Sequence, residues 1–342
     1  MLQASIQKHQ LIFKEPGGTS RGVLTTKKSC YIRVWDSESP SVCGIGECSV
    51  LPNLSPDDSP ELDEKLAWCC ENINRLHNSF HSVLHNLPAI RFALEMAFID
   101  LKNGGCQILF PSDFTDGKWG IPINGLIWMG KPDEMNRRIS EKLEAGFNCL
   151  KLKIGVLNFD DEYAILTRLR NRFSSEALEI RVDANGAFLP DKVPALLDKL
   201  AQLKIHSIEQ PIRAGQWEVM QRLCQQTPVP IALDEELISI NNIKLREEML
   251  AFVRPQYIIL KPSLTGGFQS SEEWIAIAQN NNCKWWITSA LEGNIGLNAI
   301  AQWTATFGVN MPQGLGTGQV FANNTESHLE IRNGFLYHLS KQ

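Results

Sequence analysis

Glu179-Ile-Arg-Val-Asp183, Ser207-Ile-Glu209 and Pro230-Ile-Ala-Leu-Asp234 are three short β-type runs, each closed by a carboxylate, and their reading decides the fold. The carboxylates stand 26 and 25 residues apart. Outward from them the same pattern continues. Cys149-Leu-Lys-Leu-Lys-Ile154 lies before, and Tyr257-Ile-Ile-Leu-Lys261 and Trp285-Trp-Ile-Thr-Ser289 lie after. Ile121–Trp128 and Gly314-Leu-Gly-Thr-Gly318 stand at the two ends. Most intervals carry helix-like patterns, among them Asp133–Ala145, Asp160–Arg172, Val193–Leu203 and Ser271–Asn280. Strand, crossover helix, strand at this spacing predicts parallel βαβ units, and eight such strands fit a barrel. The chain runs only 24 residues past Gly318, and Asn333-Gly334 between apolar runs is a hairpin signal there. The eighth helix is therefore expected to be missing, giving a (β/α)7β modified TIM barrel. A doubly wound open sheet is the competing α/β arrangement.

Residues 1–118 read as an α+β capping domain. Ile12, Tyr31-Ile-Arg-Val34 and Gly44-Ile-Gly-Glu47 suggest a small antiparallel sheet, followed by helical stretches Pro60–Leu76 and Ala89–Leu101. Asn103-Gly104-Gly105 stops the second stretch. The expected division is 1–118 for the cap, 119–320 for the barrel, and 321–342 for a segment returning to the cap.

Composition sets bounds on function. Hydrophobic residues make up 43% and charged residues 21% of 342, as in a globular protein of one large or two packed domains. No apolar run approaches the roughly 20 residues of a membrane helix, and the first ten residues lack a secretory stretch. A net charge of −5 without a basic block argues against nucleic acid. Nine cysteines, with no C-x-x-C pair, suit free thiols in a reducing cytoplasm. A cytoplasmic protein with a small-molecule partner is expected; nothing in the sequence sets its oligomeric state.

In an α/β barrel the reacting groups sit at the carboxyl ends of the strands. Those ends read Lys151 and Lys153, Asp183, Glu209, Asp234 and Lys261. Three carboxylates converging from successive strands repel and raise one another's pKa values unless a cation neutralises them. An all-oxygen set without His or Cys suits Mg²⁺ or Mn²⁺. Lys151 and Lys153 share a strand face, so repulsion and burial are expected to lower the pKa of one and make it a base. Lys261 ends strand six, across the barrel from strand two. Two lysines facing each other over a metal site suggest proton abstraction at carbon next to a carboxylate.

This arrangement resembles the enolase superfamily. Lys151-Leu-Lys153, Asp183-Ala-Asn185, Glu209-Gln-Pro211, Asp234-Glu235 and Lys261-Pro-Ser-Leu-Thr-Gly-Gly267 are similar to its muconate-lactonizing-enzyme subgroup, over nearly the whole chain. The resemblance implies Lys153 as the base, Lys261 as an electrostatic partner, and Asp183, Glu209 and Asp234 as metal ligands. It implies substrate contacts at Lys151, Ser289 and Arg181. Within the subgroup, Ser289–Gly296, Arg181-Val-Asp183 and Gly44–Pro52 are similar to members that dehydrate 2-succinyl-6-hydroxy-2,4-cyclohexadiene-1-carboxylate to 2-succinylbenzoate. N-succinylamino acid racemases and dipeptide epimerases are the alternative. Strand eight lacks the Asp-x-Asp with which the epimerases hold an ammonium.

Other signals are weaker. His77, His81 and His85 would line one helix face and read as packing or solvated residues. Trp285-Trp286 reads as barrel packing with one ring each way. Thr19–Gly22 and Val50–Asn53 are cap loops expected to close over the site.

Overall fold

The computed structural model describes residues 1–19, 22–155 and 158–339. The cap sheet is antiparallel, with β1 (Leu2–Thr19) paired to β2 (Gly22–Asp36) and β2 to β3 (Cys43–Ser49). β1 and β2 extend well past their apolar runs, and the end of β1 reaches the barrel, where Gly18 bridges Met129. Of the loop expected to close the site, Ser20 and Arg21 lie outside the described residues.

Helix 88–102 packs on this sheet. Pro88 opens it, where a missing N–H costs nothing. Asp57, distant in sequence, accepts from the N–H of Ala89 (2.9 Å) and of Ile90 (3.1 Å). β3 lies directly on the helix because Gly44 and Gly46, alternate residues on one strand face, meet backbone atoms of Ala97 and Ala93, one helical turn apart. The expected Pro60–Leu76 helix is two pieces, Leu62–Glu71 and Ile73–Leu76. His77, His81 and His85 therefore do not share one helix face. His77 packs on Phe98, and His85 bonds the Ser82 carbonyl.

The same helix reaches the barrel through two buried charges. Arg91 donates to the Gly266 carbonyl, 2.7 Å, and Glu95 accepts from the N–H of Phe268 (2.6 Å) and of Gln269 (3.1 Å). Burial outweighs these bonds and pushes the Glu95 carboxyl up to about 7. An acid whose pKa is raised on folding is bound more tightly to its proton in the native state, so stability falls as pH rises from about 4.5 to about 7. Glu95→Gln is expected to flatten this part of the pH dependence of the melting temperature, read by thermal unfolding at pH 5, 6 and 7.

After β4 (Ile121–Pro122) the parallel sheet begins. It runs β5 (Gly125–Ile127), β6 (Cys149–Lys153), β7 (Glu179–Asp183), β8 (Ser207–Glu209), β9 (Ile231–Leu233), β10 (Tyr257–Leu260) and β11 (Lys284–Ile287), in sequential order. Helices fill each crossover, from Pro132–Glu144 to Asn294–Ala305. Most of these strands are buried at nearly every residue, since helices cover one side and the barrel interior the other. The run Gly314–Gly318 supplies the eighth position through isolated bridges. Gly314 pairs in parallel with Thr288 beside β11, and Gln313 with Ile123 beside β5. No helix follows it among the described residues, as the hairpin signal implied. The result is the (β/α)7β barrel and not the open sheet.

β12 (Leu329–Arg332) and β13 (Phe335–His338) form the expected hairpin, turning through Asn333 and Gly334, both with positive φ. β13 pairs with β4, at the amino-terminal end of the barrel strands, and not with the cap sheet. The contact with the cap comes earlier: Phe321 bridges Phe13, and Lys14 donates to the Val320 carbonyl. Trp286 packs inside the barrel beneath Arg181, while Trp285 packs on Phe307. All nine cysteines are free thiols.

Candidate active site

Register places the charges. Lys153 pairs with Asp183 and Asp183 with Glu209 across β6, β7 and β8, so their side chains are neighbours at the carboxyl end of the sheet. Asp234 follows β9 and Lys261 follows β10. All six groups, with Lys151, are at most 9% exposed.

Lysines and carboxylates alternate. The Lys151 ammonium donates to Glu209 Oε2 (2.6 Å) and Asp183 Oδ2 (3.2 Å). Lys153 donates to Asp183 Oδ2 (2.9 Å) and Asn185 Oδ1 (2.7 Å), with the Trp128 ring 5.9 Å away. Lys261 donates to Asp234 Oδ2 and stands 3.6 Å from Glu209 Oε1. Asn185, in the left-handed region at φ 45°, is held by its own N–H on Asp183.

At Lys151 the shift runs opposite to the one a base needs. Burial alone would lower the Lys151 pKa, but the Glu209 and Asp183 carboxylates outweigh it and raise it. Lys261 is raised likewise, burial being outweighed first by Asp234 and then by Glu209. Asp183 is held far below the usual range, because Lys153, Lys151 and Lys261 overcome its burial. Glu209 is pushed up to about 7 by burial and by Asp183, and Asp234 is raised by burial. Mutual carboxylate repulsion thus shows at Glu209 and not at Asp183.

The donor set fits a hard divalent cation. It is all oxygen, and Glu209 Oε1 is buried without a hydrogen-bond partner. Among the described residues, no three His, Cys, Asp or Glu side chains are gathered as one metal-ligand group. The ammonium groups of Lys151 and Lys261 stand between the carboxylates and neutralise them.

Above this layer is a cavity of about 370 Å³. Lys151, Lys153, Asp183 and Lys261 line its base, and Ser289 is also on its wall. From the cap come Gly22–Thr26 and Leu51–Leu54. Ser289 is already engaged: its hydroxyl donates to Glu292 Oε2 (2.6 Å) and accepts from Thr317 (2.8 Å).

Arg181 does not reach the cavity. In register with Lys151, it turns downward, donating to Glu179 (2.6 Å) and the Pro312 carbonyl (2.9 Å). A strand residue two places before Asp183 shares its face but lies one layer deeper.

Sequence reasoning missed Asn124 and Thr288, which line the cavity with buried oxygens, Oδ1 and Oγ1, that lack a partner. Thr288 directly follows β11, where the rule that found the charged groups could have found it; Asn124 stands before β5, where that rule does not look.

The sequence profile described as enolase C-terminal domain-like matches residues 134–341. The o-succinylbenzoate synthase of Desulfotalea psychrophila is 46% identical, over 98% of each chain. The crystal structure of MenC from that organism superposes with a TM-score of 0.85 at 44% identity, covering 98% of this chain and 99% of that one. The L-Ala-D/L-Glu epimerase of Bacillus subtilis shares the fold, with a TM-score of 0.81 at 19% identity over 98% of this chain and 95% of that one. Profile match, near-full-length relative and barrel with its charged strand ends agree, and the chain belongs to the enolase superfamily.

Proposed function

We propose that the protein is an o-succinylbenzoate synthase, a lyase that dehydrates 2-succinyl-6-hydroxy-2,4-cyclohexadiene-1-carboxylate to 2-succinylbenzoate, a menaquinone-pathway step. The observation that carries this reading is the interleaved layer of Lys151, Lys153 and Lys261 with Asp183, Glu209 and Asp234 at the base of a cavity walled by cap and barrel. The near-full-length likeness to the Desulfotalea enzyme supports the choice among reactions. Thr317 and its flanking glycines stand where an acid would hold a substrate ammonium, which disfavours a dipeptide substrate.

Lys153, at the cavity base, takes the proton α to the ring carboxylate. A divalent cation, Mg²⁺ in this reading, supplies charge to stabilise the dianionic enediolate when Asp183, Glu209 and Asp234 hold it. The C–O bond to the ring hydroxyl then breaks, and the Lys153 ammonium returns its proton to the departing oxygen as water. Aromatisation makes this step downhill. Lys261, on the opposite wall, stays cationic and stabilises charge; Lys151 contacts the carboxylate, whereas the one Ser289 hydroxyl proton is already given to Glu292. A dehydration leaves a planar carbon and needs one base, whereas racemisation needs two.

Purified protein with Mg²⁺ and freshly prepared substrate is expected to give the ultraviolet change of the aromatic product, and excess EDTA to suppress it at least about 100-fold. Absence of conversion with metal present would overturn the assignment. Wash-in of solvent deuterium at the α-carbon of an N-succinylamino acid, without dehydration, would transfer it to the racemases.

A further inference from the structure

Leu291 sits in the left-handed region at φ 62°, a backbone conformation that leucine rarely adopts. It is buried, and with Ala290 it forms part of the cavity wall. Such a residue persists only where its surroundings over-determine it, and such residues cluster at binding sites.

The restraint comes from the cap. Lys27 of β2 is 1% exposed, and its ammonium donates to the carbonyls of Ala290 (3.0 Å) and Leu291 (2.6 Å), more than 260 residues away. In an extended strand successive carbonyls point to opposite sides. Here both meet one ammonium, and Leu291 is where the chain departs from extension. From the other side the Leu291 N–H donates to Ser289 Oγ, and the next turn is tied by Gly293 N–H to Glu47. Leu24, Thr25 and Thr26, just before Lys27, line the same cavity. Lys27 therefore joins two of its walls.

We propose that Lys27 is a positioning residue for substrate binding, whose ammonium holds the Ala290–Leu291 turn in its left-handed form and so sets the shape of the wall that the substrate meets. The proposal rests on the dehydratase reading above. Lys27 touches neither the cavity nor the charged layer; it acts through Leu291.

Lys27→Met keeps most of the aliphatic stem and removes the ammonium. With the Mg²⁺-loaded full chain and the cyclohexadiene substrate, KM is expected to rise about tenfold while kcat stays within about threefold. Leu291→Gly frees the turn from its steric penalty, so in that background Lys27→Met should raise KM by less than about threefold. If Lys27→Met alone does not fold, a folded double variant with the KM of Leu291→Gly supports the proposal. An unchanged KM in Lys27→Met, a loss confined to kcat, fully additive effects, or a double variant that does not fold overturns it. Failure of the underlying reading is separate, since the unmodified protein would then not turn the substrate over.

Discussion

Replacing Lys153 by alanine lowers kcat for dehydration by about 10³-fold, the scale of a lost general base, and leaves the protein folded. Folding survives because Asp183 keeps its bond from Lys151 and from the Asn185 N–H. Lys153→Arg is the sharper variant. Guanidinium retains the positive charge and the reach toward Asp183, but it does not lose a proton in a protein. If Lys153 is the base, arginine is as inactive as alanine. If it only balances charge, arginine retains most of the rate, and more than about a tenth of the original kcat would remove Lys153 from the proton-transfer role. Rates are read from the ultraviolet change of aromatisation, with circular dichroism to confirm the fold.

The second large effect is on stability. A Cβ on Gly46 would stand 1.8 Å from the Ala93 carbonyl oxygen and 2.8 Å from its carbon. Both are backbone atoms of helix 88–102, so no side chain can rotate out of the way. Gly46→Ala must push the sheet off the helix, with a loss of at least about 3 kcal/mol. Gly22→Ala, with open space around its own Cβ, costs only the strain of its φ of 124°. Urea unfolding of the two variants checks the order; equal midpoints would contradict the close approach.

Much of the barrel was legible because its signal is local and repeated. Apolar runs ending in a charge recur once per βα unit, and that phase alone brought Asp183, Glu209 and Asp234 to one end of the sheet. Asn333-Gly334 marked the hairpin by turn chemistry, although not the strand it joins. Arg181 was misplaced because alternation fixes a face and not a depth. The Lys151 shift was misjudged because sequence shows it beside Lys153 but hides the Glu209 and Asp183 carboxylates of other strands that enclose it. Lys27 was missed because its partners lie at the far end of the chain. A trace was present: it stands two residues before Ser29 and four before Tyr31 on the buried face of β2.

Every charged residue that lines the cavity, among those described, is borne by the barrel: Lys151, Lys153, Asp183 and Lys261. Every cap residue there, from Gly22 to Thr26 and from Leu51 to Leu54, is uncharged. The charges are therefore written in the barrel alone, while fit is shared between the two cap blocks and uncharged barrel residues such as Leu126, Trp128 and Leu291. Nine codons in two short blocks can be exchanged without altering a single ionisable group of the reaction layer. A lineage could explore new substrates through those blocks while inheriting its proton chemistry intact, and a library confined to them is where altered selectivity should be sought.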